Sequence, residues 1–162
     1  MSIELGHFAL ILAFAIATVS ALGGYAFWRS GQRIALVLSQ GAVLQFVLVA
    51  VAFAALIQAF VTSDFSLLLA VNNSHSLKPL IYKISGVWGN HEGSMLLWIL
   101  ILVAFGAMVA AFGRRLPADL LALVLGTQCL LTAAFTGFTL FTSNPFARVF
   151  PAPMEGNDLN PI

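Results

Sequence analysis

Ser94–Phe112 reads SMLLWILILVAFGAMVAAF, an apolar run without a charged side chain. At about 1.5 Å per helical residue it reaches roughly the 30 Å thickness of a bilayer's hydrocarbon core. A spanning segment must satisfy its own backbone hydrogen bonds, so this run reads as a transmembrane helix. Three further runs have the same character: Leu5–Trp28, Ile34–Val61 and Leu120–Phe141. With 60% hydrophobic and 8% charged residues in 162, the chain carries more apolar surface than one water-soluble core can bury. The expected architecture is an all-α integral membrane protein of four transmembrane helices, a single membrane domain over residues 1–162.

The first run is not read as a secretory signal, because Glu4 is the only charge before it and it is too long for an h-region. The single cysteine, Cys129, lies inside the fourth run, so there is no intramolecular disulfide and no cysteine-rich metal site. Orientation follows from the short connections. Arg29 and Arg33 join spans one and two, Arg114 and Arg115 join spans three and four, and short basic loops stay inside. Both termini, the loop 62–93 and the tail 142–162 are then outside, where Lys78, Lys83 and Arg148 are diluted by Asp64, Glu92, Glu155 and Asp158. His7, His75 and His91 share that face. With a net charge of +1, no nucleic-acid partner is expected.

Local signals agree with these spans. Pro117 and Asp119 suit a helix's first turn, where proline needs no donor and an acid complements the dipole. Ala9, Ala13, Ala17 and Ala21 recur every fourth residue, either as a ridge for close helix approach or as ordinary membrane composition. Gln40, Gln45, Gln58 and Gln128 read as interhelical glue. In the outer loop, Asp64–Val71 is read as extended and Asn72–Ser76 as a turn. Leu80, Ile81, Ile84 and Val87 fall at helical spacing, which suits a short interfacial helix or an irregular connector with snorkelling lysines.

Next comes VWGNHEGSMLLW, Val87–Trp98. Helical spacing from Trp88 sets His91, Met95, Trp98 and Leu102 on one stripe. Such a stripe could line a haem or quinol pocket, the indoles as flat walls and the imidazole as ligand or hydrogen-bonding group. It equally suits an interfacial helix start, since tryptophan favours the membrane surface and an acid favours the first turn. His7 among apolar residues and His75 in a polar turn are weaker candidates. No acid or base falls deep within a span, which argues against a proton or ion pump. Phosphate-cradling glycine loops, zinc-protease helices and a CxxCH sequence are all absent.

Three motifs carry a resemblance: WGNHEGSMLLW (Trp88–Trp98), LFTSNPF (Leu140–Phe146) and MEGNDLNPI (Met154–Ile162). In this order and spacing they resemble the amino-terminal part of the cytochrome c maturation protein F (CcmF) haem lyase family, and the sibling lyases for nitrite reductase share them. Weaker similarity includes DFSLLLAVNNS, Asp64–Ser74, and both arginine-bearing turns.

The resemblance implies System I cytochrome c biogenesis at the periplasmic face of a bacterial inner membrane. There the family takes haem from the haem chaperone CcmE and joins it to apocytochrome c thiols handled by CcmH and CcmI. It implies haem b as cofactor and quinol as a source of electrons. The matching motif positions are Trp88, Gly89, His91, Glu92, Gly93 and Ser94, with Trp98 beside them. The family continues past this element to a further histidine and a tryptophan-rich WWD domain, neither of which is in this sequence. The chain thus resembles an amino-terminal fragment, expected to lack lyase activity alone and to need the remaining carboxyl-terminal part. The alternative class is a non-catalytic membrane scaffold that docks partners. A transporter is disfavoured by the lack of buried charge and of a visible inverted repeat.

Overall fold

The computed structural model describes residues 1–157, with the side chain of Arg114 outside the description. Six α-helices follow in order: α1 (Ser2–Phe27), α2 (Gln32–Val61), α3 (Leu68–Asn73), α4 (Leu80–Gly86), α5 (His91–Phe112) and α6 (Ala118–Thr142). Among the described residues, 4 helices are long and apolar enough to cross a membrane, namely α1, α2, α5 and α6. The expected spans hold. Each helix, however, starts two or three residues earlier than hydropathy indicates, because polar first-turn residues contribute helix but no hydrophobicity.

Short 3-10 turns, Trp28–Ser30 and Gly113–Arg115, close the two hairpins α1–α2 and α5–α6. Between Ser30 and α2 the chain reverses at Gly31, whose φ of 69° is open to glycine at little cost. Arg29 lies over the Trp28 ring, 4.7 Å from its centroid. At the start of α6, Asp119 sits in the first turn as expected, while Pro117 falls one place earlier, at the N-cap.

The hairpins pack as a bundle: α1 lies against α2 and α6, α5 lies against α2 and α6, and α2 touches α6 across the middle. The alanine ridge of α1 faces inward, with Ala13 and Ala17 wholly buried and Ala9 and Ala21 nearly so. One turn further along, α1 and α6 cross at bare backbone. A Cβ on Gly24 would lie 2.7 Å from the Gly126 Cα. Such close approach suits a membrane interior, where helices associate through packing and no hydrophobic force separates them from lipid. Thr132 and Thr136, both buried, donate to the carbonyls of Gln128 and Thr132 at 3.0 and 2.6 Å. Their hydroxyls are therefore satisfied within α6.

The glutamines divide. Gln45 donates to Cys129 Sγ at 3.3 Å and Gln128 to the Leu102 carbonyl at 2.6 Å, both between helices. Gln40 and Gln58 bridge no helices within this bundle: they lie on exposed faces of α2. Composition marks a glutamine as expensive in a membrane without saying which way it points.

The α2–α5 connection also differs from its expected form. Only Leu67 is extended, in an isolated antiparallel bridge to Arg148 flanked by Leu68 N to Ala147 O at 2.9 Å and Val149 N to Ser66 O at 3.0 Å. Asp64, Phe65 and Ser66 lie in a turn closed by Leu67 N to Asp64 O at 3.1 Å, and residues 68–71 open α3, where Leu69, Ala70 and Val71 bury their side chains. The expected turn starts later, because Asn72 and Asn73 end that helix. Residues 80–86 are helical, and α4 rests on α2 with Gly86 beside Phe60. The start of α1, the end of α6, this connection and the tail all gather at one end of the bundle; both arginine-bearing turns lie at the other.

Candidate functional site

The tryptophan-glycine-asparagine-histidine stretch forms the joint between α4 and α5. Asn90 is the N-cap of α5, and its side-chain oxygen accepts the Gly93 N–H at 2.7 Å. Its amide nitrogen donates backward to the carbonyls of Gly86 at 2.9 Å and Val87 at 3.2 Å. One side chain therefore satisfies an orphan donor of α5 and carbonyls at the end of α4. The joint closes tightly enough that a Cβ on Gly93 would overlap the Val87 carbonyl oxygen. Val87 is fully buried beneath it.

What remains of the motif faces outward. His91 is the first residue of α5 and is exposed; Glu92 beside it is half-exposed and complements the positive end of the helix. Ser94 donates to the His91 carbonyl at 3.0 Å. Trp98, two turns below His91 on the same face, is 70% exposed, and Met95 and Leu102 between and beyond them are half-buried. The stripe does not extend to Trp88. Because α5 starts at His91, Trp88 precedes the helix and stacks on Phe53 of α2, with ring centroids 6.5 Å apart and planes 24° apart. Gly89 is exposed in the same turn.

This arrangement leaves a nitrogen base and flat aromatic surface open at one end of the bundle. An exposed imidazole and exposed indoles can face a flat apolar macrocycle, but no group of three or more His, Cys, Asp or Glu is placed to hold a metal ion among the described residues. His7 and His75 do not share this face. His7 stacks on Phe146 at 6.0 Å and its Nε2 lies 3.3 Å from Asn144 Nδ2, at the floor of an open niche of about 300 Å³. His75 is buried, its Nδ1 accepting the Leu77 N–H at 3.2 Å.

The tail straps this end together. Arg148 pairs with Glu4 and donates to Ser66. Glu155 accepts from the Ser76 N–H at 2.9 Å and the Ser76 hydroxyl at 2.6 Å, and Asn157 N donates to Val71 O at 2.7 Å. The Ser76 hydroxyl and then its N–H hold the Glu155 carboxyl below its ordinary value of 4.5. A depressed carboxylate stabilises the folded tail above the unfolded value, and the contribution fades as pH falls through the folded one. Protection of the Asn157 amide, its exchange rate relative to the unfolded-chain rate at the same pH, should therefore be high at neutral pH and fall only below about pH 4.5. In Glu155→Gln it should be low and without that pH step.

Asn90 is the residue that sequence reasoning missed. The signal was present, an asparagine directly before a His-Glu first turn with glycine three positions on, which is the pattern of an N-cap. Asp158–Ile162, the end of the third motif, lie outside the described residues.

Fold and site together define a multi-pass membrane four-helix bundle whose polar segments form a single cap, with a histidine-glutamate pair at its rim. No family model matches the sequence. Over 100% of its length the chain is 58% identical to the cytochrome c-type biogenesis protein CycK of Rhizobium meliloti, covering 24% of that protein. It is 45% identical, over 98% of its length, to the cytochrome c-type biogenesis protein CcmF of Pseudomonas aeruginosa, covering 24% of it. The probable cytochrome c-type biogenesis protein NrfE of Escherichia coli is 42% identical over 75% of this chain. A solved structure of the cytochrome c heme lyase CcmF has the same fold, with a TM-score of 0.84 and 24% identity over 90% of this chain and 25% of that one. The chain belongs to the CcmF/CycK family of cytochrome c-type biogenesis proteins, and spans about a quarter of the length of these relatives.

Proposed function

We propose that the chain is the part of a System I haem lyase that holds one rim of its haem-handling face. The observation that carries this reading is whole-length identity of 58% to CycK, combined with the exposure of His91 and Trp98 on the end of the bundle that holds all its long polar segments. The arginine-bearing turns support an orientation with that end periplasmic and the arginines cytoplasmic, in the inner membrane. Leu80, Ile81 and Tyr82 are exposed on α4, which supports its lying in the membrane interface.

In this reading haem b reaches the rim from the chaperone CcmE, and the apocytochrome arrives with CcmH and CcmI. Haem supplies the vinyl groups: each apocytochrome thiol adds its sulfur to one vinyl carbon and its hydrogen to the other, with no net change in oxidation state. His91 would offer a nitrogen to the haem iron or to a haem carboxylate, and Trp98 and Trp88 flat apolar surface. Quinol at this face would keep the iron reduced.

The test uses cells lacking their own lyase that carry this chain together with the portion of R. meliloti CycK it does not match. Covalent haem on c-type cytochromes is read by peroxidase staining of denatured proteins. His91→Ala should lower it at least tenfold while the membrane level of the chain is unchanged. The scaffold reading is favoured by how much of the motif, Asn90 and Gly93, is spent on the joint, and it requires His91→Ala to leave covalent haem intact.

A further inference from the structure

A groove of about 770 Å³ runs along the arginine-bearing half of the bundle, between α2 and the α5–α6 hairpin. Its floor is small: Ala35, Ala110, Ala111 and Ala118. It extends from Gln32 to Val47 of α2, about 22 Å or four helical turns. Midway along it, the exposed amide of Gln40 opens into the groove and makes no hydrogen bond among the described residues.

An exposed amide some 12 Å into a span is costly against hydrocarbon, which offers it no partner. A lipid acyl chain would fill the groove and leave that cost in place. A helix would remove it, because small residues let two backbones approach and a polar side chain can then bond across. The relatives are about four times as long as this chain, so their remaining length has a bundle to pack against.

We propose that this groove seats a transmembrane helix from the part of the relatives' length that this chain does not span. That helix presents small residues to the alanine floor and a hydrogen-bonding group to Gln40. The proposal rests on the haem-lyase reading for the identity of the occupant.

The test places a benzophenone photocrosslinker on Leu36→Cys, an exposed lining position of the groove that leaves Gln40 intact, in the same co-expression cells; the natural thiol, Cys129, is buried. Irradiation should join the chain to the CycK portion, with at least tenfold more adduct than from Val19→Cys on the exposed face of α1. Filling the groove with Ala111→Trp should abolish the Leu36 adduct and leave any Val19 adduct unchanged. Without a crosslinker, Gln40→Leu should lower co-purification of the two polypeptides at least tenfold and Gln40→Asn should retain it. Adducts only to lipid or to a second copy, no adduct above the control, or an adduct indifferent to Ala111→Trp would each overturn the proposal. Adduct without covalent haem on the cytochromes would overturn the lyase reading instead, and covalent haem without adduct would overturn the groove.

Discussion

In cells carrying this chain with the remaining CycK portion, and on the haem-lyase reading proposed above, Gly93→Ala should lower covalent haem attachment by more than tenfold, although alanine is the better helix former by about 1 kcal/mol. The reason is local. At the third position of α5 the added Cβ would meet the Val87 carbonyl, 2.8 Å from its carbon and overlapping its oxygen. That carbonyl is also held by Asn90 Nδ2, and Val87 is fully buried, so neither partner can yield cheaply. Overpacking against backbone costs about 1–3 kcal/mol or more, and the expected relief is to open the α4–α5 joint. His91, one residue past the cap, would then leave its place on the rim. Loss of Trp88 stacking on Phe53 should accompany this, seen as a change in near-ultraviolet circular dichroism with helicity retained. Asn90 separates the two halves of the joint. Asn90→Ala loses both and should cost about 1 kcal/mol from the cap alone, whereas Asn90→Asp keeps the acceptor for Gly93 N–H and loses the donors to Gly86 and Val87. Wild-type haem attachment by Gly93→Ala would show that the joint does not position the rim.

The second large effect lies at the other end of the bundle. Gly24→Leu and Gly126→Leu should each prevent the α1–α6 crossing, since the backbones there touch with no side chain between them. Alanine grades the effect. A Cβ at Gly24 would lie 2.7 Å from the Gly126 Cα, while one at Gly126 would lie 3.2 Å from the Gly24 Cα. Gly24→Ala should therefore lower the thermal midpoint in detergent more than Gly126→Ala, and either leucine should abolish a cooperative transition. Val124→Leu, on an exposed face of the same helix, should be silent. Equal midpoints for Gly24→Ala and Val124→Leu would mean the crossing is looser than this geometry.

Hydropathy was sufficient for the four spans, because a membrane helix must be apolar along its whole length wherever it packs. The alanine ridge was equally legible, since a spacing of four residues places small side chains on one face of a helix. Helix starts were less so. His91, Glu92 and Gly93 are polar or small and carry no span signal, yet they form the first turn of α5 once Asn90 caps it. The segment Asp64–Val71 reads as extended, but residues 68–71, half of it, are helix, with Leu69, Ala70 and Val71 buried. Tertiary contact overrides weak local preference in a segment so short.

The sequence by itself determined that this chain has four segments long and apolar enough to cross a membrane, which connections carry the arginines, and which motifs resemble a haem lyase. These are properties of composition and order along one chain. Only the tertiary structure decided that Asn90 and Gly93 build the joint while His91 and Trp98 stay exposed, that Trp88 leaves their stripe for Phe53, and that Gln40 opens into a groove while Gln45 reaches Cys129. In a membrane the hydrophobic effect places a helix in the bilayer and is nearly indifferent to its rotation there. Which face turns inward is settled by close packing and by the few hydrogen bonds between helices, and both depend on residues far apart in sequence.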